Sequence, residues 1–197
     1  MDSTAGEWSP ISSAQHMIFD FDETLFTLHL PWELYYKPVY VECLRLDRSL
    51  AQFKYQHISE LENEAVSRLG ADFQAWIRRH SQEFESRRLE GVTEHKQITD
   101  WIRQESGDRQ IYLWTSNMLS TVAPILTRSG LIGRFTSLIT KDSVQFLKPN
   151  PEGFFHLFEP LTQDRSEYIF VGDSEVDQIA AREAGIEFQR FRATIKT

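Results

Sequence analysis

A chain of 197 residues, 41% apolar with 14 Phe and 5 Trp, has material for one domain-sized core and room for an insertion. A formal charge of −8 excludes a general binder of nucleic acid or anionic membranes, so an anionic ligand must be held by a few focused positive groups. The single cysteine, Cys43, excludes an internal disulfide and, in the apolar stretch "YVECLRL", reads as a buried, inert thiol of a reducing compartment.

Residues 1–16, "MDSTAGEWSPISSAQH", lack the basic start and apolar centre of a signal peptide and read as a polar arm. No apolar run approaches the ~18 residues of a membrane-spanning helix, and a soluble, cytoplasmic protein is expected. The run "MIFDF" predicts a first strand over Met17–Phe21, with His16 before it at the surface. From Pro31 to about Arg88 the periodicity is helical. There "SELENEAVSRLG" opens with a capping box, Ser59 with Glu62, and ends at Gly70. The following "DFQAWIRRHSQEFESRR" sets Phe73, Trp76, Ile77, His80 and Phe84 on one face, which reads as packing, with His80 a core histidine.

After Gly91 the pattern alternates. "EHKQITDWIRQES" predicts a helix and "RQIYLWTSN" a short buried strand. "STVAPILTRSG" predicts a helix closed by Gly130, with Asn117 placed to cap its start, and "FTSLIT" a strand. "NPEGFFHLFEPL" predicts a helix capped by Asn150 with Pro151 in first position. "SEYIFVGD" is the clearest buried strand, "SEVDQIAAREAG" a helix ending at Gly185, and "IEFQRF" a last strand. This alternation predicts an α/β fold, a Rossmann-like parallel sheet with helices on both faces. The expected organisation is an arm at 1–16, a core at 17–27 and 91–197, and an α-helical insertion at 28–90. Its joints are expected near Leu28–Pro31 and Glu90–Thr93.

Ligands of an open parallel sheet bind beyond the carboxyl ends of its strands. There the sequence places Asp20 and Asp22, Thr115 and Ser116, Asp173, and Lys148 in "FLKPN", where Pro149 favours an extended conformation. Asp20 and Asp22 start on one side of a strand, and two like charges about 4 Å apart repel by roughly 4 kcal/mol at an effective dielectric of 20. Such a pair calls for a cation or a shared proton. The acids suit a hard cation with oxygen ligands, such as Mg²⁺, which keeps several waters and takes phosphate oxygens. Hydroxyls and backbone N–H groups suit a phosphate oxygen, and Lys148 supplies a positive side chain. Cations cancel the repulsion between a carboxylate and a phosphate dianion, so one aspartate can attack while the other handles the proton. A calcium loop is excluded: the sixth position from Asp20 is Leu25 rather than Gly, and the twelfth is Pro31 rather than Glu.

The ordered strings "DFDETLF", "LWTSN", "LKPNP" and "VGDSEVD" resemble the four motifs of the haloacid dehalogenase (HAD) superfamily. "TRSGLIGRFTSLIT" and "VDQIAAREAGI" resemble its phosphoglycolate-phosphatase-like branch, and the likeness runs from residue 17 to about 192. The resemblance implies a Mg²⁺-dependent phosphomonoester hydrolase that acts on a small organic phosphate through an aspartyl-phosphate. It implies Asp20 as nucleophile and Asp22 as general acid, then base. Thr115 and the Ser116 backbone would bind the phosphoryl group, with Lys148 neutralising both it and Asp20. Mg²⁺ would lie on Asp173, the Asp20 carboxylate and the Asp22 main-chain carbonyl, with Asp177 supporting the metal or Lys148 from behind. Position 23, often glycine in the family, is Glu here and is expected to face away from the cleft.

The helical insertion matches a cap that closes over the cleft, excludes water and selects the substrate. Its Tyr35, Tyr36, Arg45, Lys54 and Arg78 read as solvated or packing residues rather than substrate contacts. A dehalogenase of the same fold would lack Asp22. A phosphomutase or phosphotransferase would keep every residue named and differ only in the acceptor. A receiver domain is shorter and has no helical insertion, and a catalytically silent phospho-ligand-binding protein would have lost one of Asp20, Asp22, Lys148 or Asp173. The expected partner is a small phosphorylated substrate, with no nucleic acid and no membrane.

Overall fold

Apolar runs bounded by turn residues become strands, and the amphipathic runs become helices. The structure, a computed structural model, describes residues 8–10, 13–53, 58–105, 107, 109–158 and 164–193. In chain order the elements are β1 (His16–Phe19), β2 (Phe26–His29), α1 (Glu33–Leu46), α2 (Ile58–Arg88), β3 (Gly91–Glu94), α3 (Lys96–Gln104) and β4 (Gln110–Trp114). They continue with α4 (Leu119–Arg128), β5 (Ser137–Ile139), α5 (Glu152–Phe155), β6 (Tyr168–Gly172), α6 (Glu175–Ala184) and β7 (Glu187–Arg190).

Five strands form one parallel sheet in the order β5-β4-β1-β6-β7. β1 is central, with Ile18 opposite Tyr112 on one side and Phe170 on the other. Alternation along β1 sends Met17 and Phe19 to one face, where they pack with Ile98 and Ile102 of α3 and Val122 and Leu126 of α4. Ile18 goes to the other, with Phe154 of α5 and Ala180, Ala181 and Ala184 of α6. Both faces are covered, which is why the strands read as continuous apolar runs. Because the strand order reverses at β1, the crevice between the ends of β4 and β6 opens beside Asp20.

β1 starts at His16 rather than Met17 and ends before Asp20. His16 is not a free surface residue. Its ring stacks on Tyr168 at 4.3 Å and its Nδ1 lies 3.1 Å from the Tyr112 hydroxyl, closing the far end of the sheet. In the arm, Trp8 packs edge-on against Trp101 at 5.2 Å and Phe19 at 6.0 Å, so this part of the segment is tied to the core.

The expected joints at Leu28–Pro31 and Glu90–Thr93 fall on an antiparallel ribbon, with β2 and β3 paired from Phe26↔Glu94 to His29↔Gly91. The two strands are each four residues long, too short to show a period. Between them come α1 and α2, which share the larger apolar cluster through Val39, Cys43, Leu61 and Ala65. Cys43 is buried there, and burial pushes its thiol up to about 12. α2 breaks at Gly70, whose φ of 73° and ψ of −157° suit glycine, as the helix stop at that residue predicts. The capping box does not form. Ser59 lies inside α2, and Glu62 turns to the buried partners Tyr35 and Lys141, which offer it charge-assisted bonds. Phe73, Ile77 and Phe84 are buried as the stripe predicts, while Trp76 and His80 are half-buried and stacked at 5.2 Å.

Asn150 does accept the Glu152 N–H, at 2.9 Å, although α5 has only four residues and 159–161 of the predicted helix lie outside the described residues. Among the described residues no helix is long and apolar enough to cross a membrane.

Candidate active site

Asp20 is the first residue beyond β1, and its N–H extends the ladder by donating to Val171 O at 2.9 Å. The chain then coils tightly, with the N–H groups of Leu25 and Phe26 both directed at Phe21 O, at 2.9 and 3.0 Å. The coil forces Glu23 to φ 59°, the left-handed region that explains why glycine suits this position. Contrary to expectation, Glu23 also borders the cleft rather than turning away from it. Asp22 Oδ1 accepts the Leu28 N–H at 2.7 Å, which ties its carboxylate to the start of the ribbon.

Thr115 follows β4, with its N–H on Ile139 O. Its hydroxyl donates to Asn117 Oδ1 at 2.8 Å and accepts the Asn117 N–H at 3.2 Å, so Asn117 positions Thr115 and does not cap α4. The first N–H groups there are met by carboxylates from elsewhere: Met118 donates to Glu85 at 3.2 Å and Leu119 to Asp142 at 2.7 Å.

Lys148 sits in a turn, its peptide bond to Pro149 cis, rather than in an extended segment. The Asn63 side chain clamps both backbone groups of the preceding Leu147, at 2.7 Å each. Lys148 Nζ is buried 2.6 Å from Asp20 Oδ1 and 2.5 Å from Asp177 Oδ1. Asp177 Oδ2 accepts from Ser174 N–H and Oγ, at 3.1 and 2.6 Å. Gly172 lets the two elements approach, since a Cβ there would lie 2.7 Å from Asp177 Cγ. Asp173 Oδ1 accepts from Thr24 Oγ1 at 3.3 Å.

The electrostatics show a site short of positive charge. Burial raises the Asp20 carboxyl to about 8 against the pull of Lys148. Burial likewise raises Asp22 to about 7, against the Leu28 N–H, and Asp173 to about 6, with Asp177 adding to the effect. Burial pulls Lys148 down, but Asp177 and Asp20 outweigh it and leave it at about 12. Carboxylate oxygens of Asp20, Asp173 and Asp177 lie within 4.8 Å of one another, an all-oxygen set that fits a hard divalent cation. Asp177 supports Lys148 as expected and is also the third carboxylate of this cluster. The Asp22 carboxylate is not in it, being turned to Leu28.

Asp20, Asp22, Thr115, Ser116, Lys148, Asp173 and Asp177 all line one cavity of about 360 Å³. Its outer wall comes from α1, α2 and the approach to α1, through Trp32, Tyr35, Tyr36, Glu62 and Glu85. Tyr35 and Tyr36 keep the packing role expected of them, Tyr35 buried in the larger apolar cluster and Tyr36 packed against it, and both also line the cleft. Arg45 is exposed and paired with Glu42, Arg78 donates to Val144 O at 2.7 Å, and Lys54 lies outside the described residues. Sequence reasoning missed Lys141 and its partner Glu62. The signal for Lys141 was its place, directly after the strand "FTSLIT" on the same rim.

A model of haloacid dehalogenase-like hydrolases matches residues 17–191. A stretch of 72 residues is 38% identical to a phosphoglycolate phosphatase of Cupriavidus necator, covering 36% of this chain and 31% of that protein. Another of 106 residues is 31% identical to a pyrophosphatase of Bacillus velezensis, covering 53% of this chain and 49% of that protein. The matches thus span half or less of these relatives' own length. Among solved structures, a HAD-superfamily hydrolase of Geobacter sulfurreducens superposes with a TM-score of 0.55 at 19% identity, covering 93% of this chain and 92% of that one. The sheet order, the acids at the ends of β1 and β6 and the match over nearly the whole chain agree, and the protein belongs to the haloacid dehalogenase-like hydrolases.

Proposed function

We propose that the protein is a Mg²⁺-dependent phosphomonoester hydrolase acting on a small organic phosphate, with 17–27 and 91–197 as catalytic core and 28–90 as cap. The observation that carries this reading is Lys148, held 2.6 Å from Asp20 and 2.5 Å from Asp177 beside a third acid at the mouth of the cavity. Asp20 Oδ attacks phosphorus, the P–O ester bond breaks, and Asp22 gives its proton to the departing alkoxide. Asp22, now a carboxylate, takes a proton from water, whose oxygen displaces Asp20 and releases inorganic phosphate. Thr115 and the Ser116 backbone hold the phosphoryl oxygens, and Lys148 offsets the charge between nucleophile and phosphate. Mg²⁺, held by Asp20, Asp173, Asp177 and the Asp22 main-chain carbonyl, would neutralise the phosphoryl oxygens. The α1–α2 wall excludes bulk water from the cleft.

The names of the Cupriavidus and Bacillus relatives, a phosphoglycolate phosphatase and a pyrophosphatase, support phosphoryl transfer to water. A cytoplasmic setting fits the lone buried Cys43. The test is hydrolysis of p-nitrophenyl phosphate, expected with Mg²⁺ and lost both in excess EDTA and in Asp20→Asn. Full turnover in EDTA would overturn the metal dependence, and turnover by Asp20→Asn would overturn the nucleophile.

A further inference from the structure

Resting on the phosphatase reading, we infer that the cavity selects phosphate esters whose leaving group is neutral or cationic and rejects those bearing a carboxylate. The geometry behind this is the pairing of Lys141 with Glu62. Lys141 leaves the end of β5 and, besides Lys148, is the cation among the described residues lining the cavity. Its Nζ donates to Glu62 Oε2 at 2.6 Å and to the Tyr35 hydroxyl at 2.9 Å, and that hydroxyl donates to Glu62 Oε1 at 2.7 Å. Lys141 and Glu62 are 6% and 3% exposed, so their pairing is not loosened by water.

A second buried acid, Glu85, lines the same wall, and Glu23 borders the opening. Away from Lys148 and the aspartates, the described wall therefore carries more carboxylates than cations. A carboxylate on the leaving group would meet like charges in a desolvated space, and could win Lys141 only by breaking a buried ion pair. A leaving group with hydroxyls or an ammonium instead finds acceptor oxygens on Glu62 and Glu85. Next to them Trp32 and Tyr36, stacked at 6.0 Å, offer ring faces that suit a cation or an apolar body. This wall is a poor match for phosphoglycolate, the substrate in the name of the Cupriavidus relative.

Calorimetry with Mg²⁺ and three matched phosphonates that cannot be hydrolysed reads this selectivity without turnover: 3-phosphonopropionate, propylphosphonate and 3-aminopropylphosphonate. The carboxylate-bearing ligand is expected to bind the wild-type protein about tenfold or more weakly than the other two. In Glu62→Gln, Lys141 loses its carboxylate partner, and the relative affinity for 3-phosphonopropionate should rise by about tenfold. Equal or tighter wild-type binding of 3-phosphonopropionate overturns the inference, as does failure to bind any of the three. If Glu62→Gln does not fold, the wild-type order alone decides. Hydrolysis of p-nitrophenyl phosphate, which carries no carboxylate, reports separately on the phosphatase reading.

Discussion

Lys141 and Lys148 leave the same β5–α5 connection, and both are buried against carboxylates, yet they join different things. Lys148 gathers Asp20 from the end of β1 and Asp177 from α6, so it assembles groups that all belong to the sheet's rim. Lys141 reaches outward to Glu62 on α2 and Tyr35 on α1, and so pins the helical block to the core. Asn63 and Arg78 of α2 hold backbone of the loop between the two lysines, which makes the position of Lys148 depend on the helical block. On the proposed mechanism one short connection thus serves reaction and enclosure, and the two roles separate by what each ammonium touches.

Replacing each lysine by methionine separates the roles. Lys148→Met should lower kcat on p-nitrophenyl phosphate by about 10²–10³, the usual cost of one preorganised charge-stabilising group. Lys141→Met should lower it less on that substrate but should destabilise the fold by about 3–5 kcal/mol, because Glu62 is left buried without its cation. Urea unfolding measures that loss. The double variant Lys141→Met/Glu62→Gln should recover much of it, and a double variant no more stable than Lys141→Met would show that the pair does not act as a unit.

A smaller perturbation approaches Lys148 from behind. Gly172→Ala would drive a Cβ to 2.7 Å from Asp177 Cγ. Overpacking of this kind costs about 1–3 kcal/mol. Displacing Asp177 should also lower turnover, whereas Gly133→Ala, with open space around the added methyl, should change neither. The smallest effect is expected at Cys43, beside the Lys141 network. Burial pushes its thiol up to about 12, with Glu62 adding to the effect, so thiol reagents should not label the folded protein at pH 8. Labelling should become measurable in Lys141→Met, where the helical block is less firmly held.

The first of these networks was legible in the sequence and the second was not. Asp20, Thr115 and Asp173 follow apolar strands, and a parallel sheet brings the ends of such strands together whatever the details of packing. Lys148 is carried by the resemblance of "LKPNP". Glu62 and Lys141 are 79 residues apart, and nothing local distinguishes Glu62 from the second half of a capping box, so tertiary pairing overrode the local signal. Asn117 was misread in the same way: an Asn before a helix is a natural cap, but Thr115 took its side chain and Glu85 and Asp142 took the helix end. The β2–β3 ribbon escaped notice because four-residue strands show no period, and Glu23, expected to face away, borders the cleft because the folded turn holds it at φ 59°.

The proposed mechanism makes Asp20 the group that carries the phosphoryl. If Asp22 is the base of the second step, as proposed, the covalent species should build up in Asp22→Ala fed p-nitrophenyl phosphate, whose leaving group scarcely needs a proton. Rapid acid quenching followed by intact-mass and peptide-mapping mass spectrometry would locate it. One added phosphoryl group is expected on the peptide containing Asp20, absent from Asp20→Asn/Asp22→Ala. No adduct, or an adduct on another residue, would contradict it.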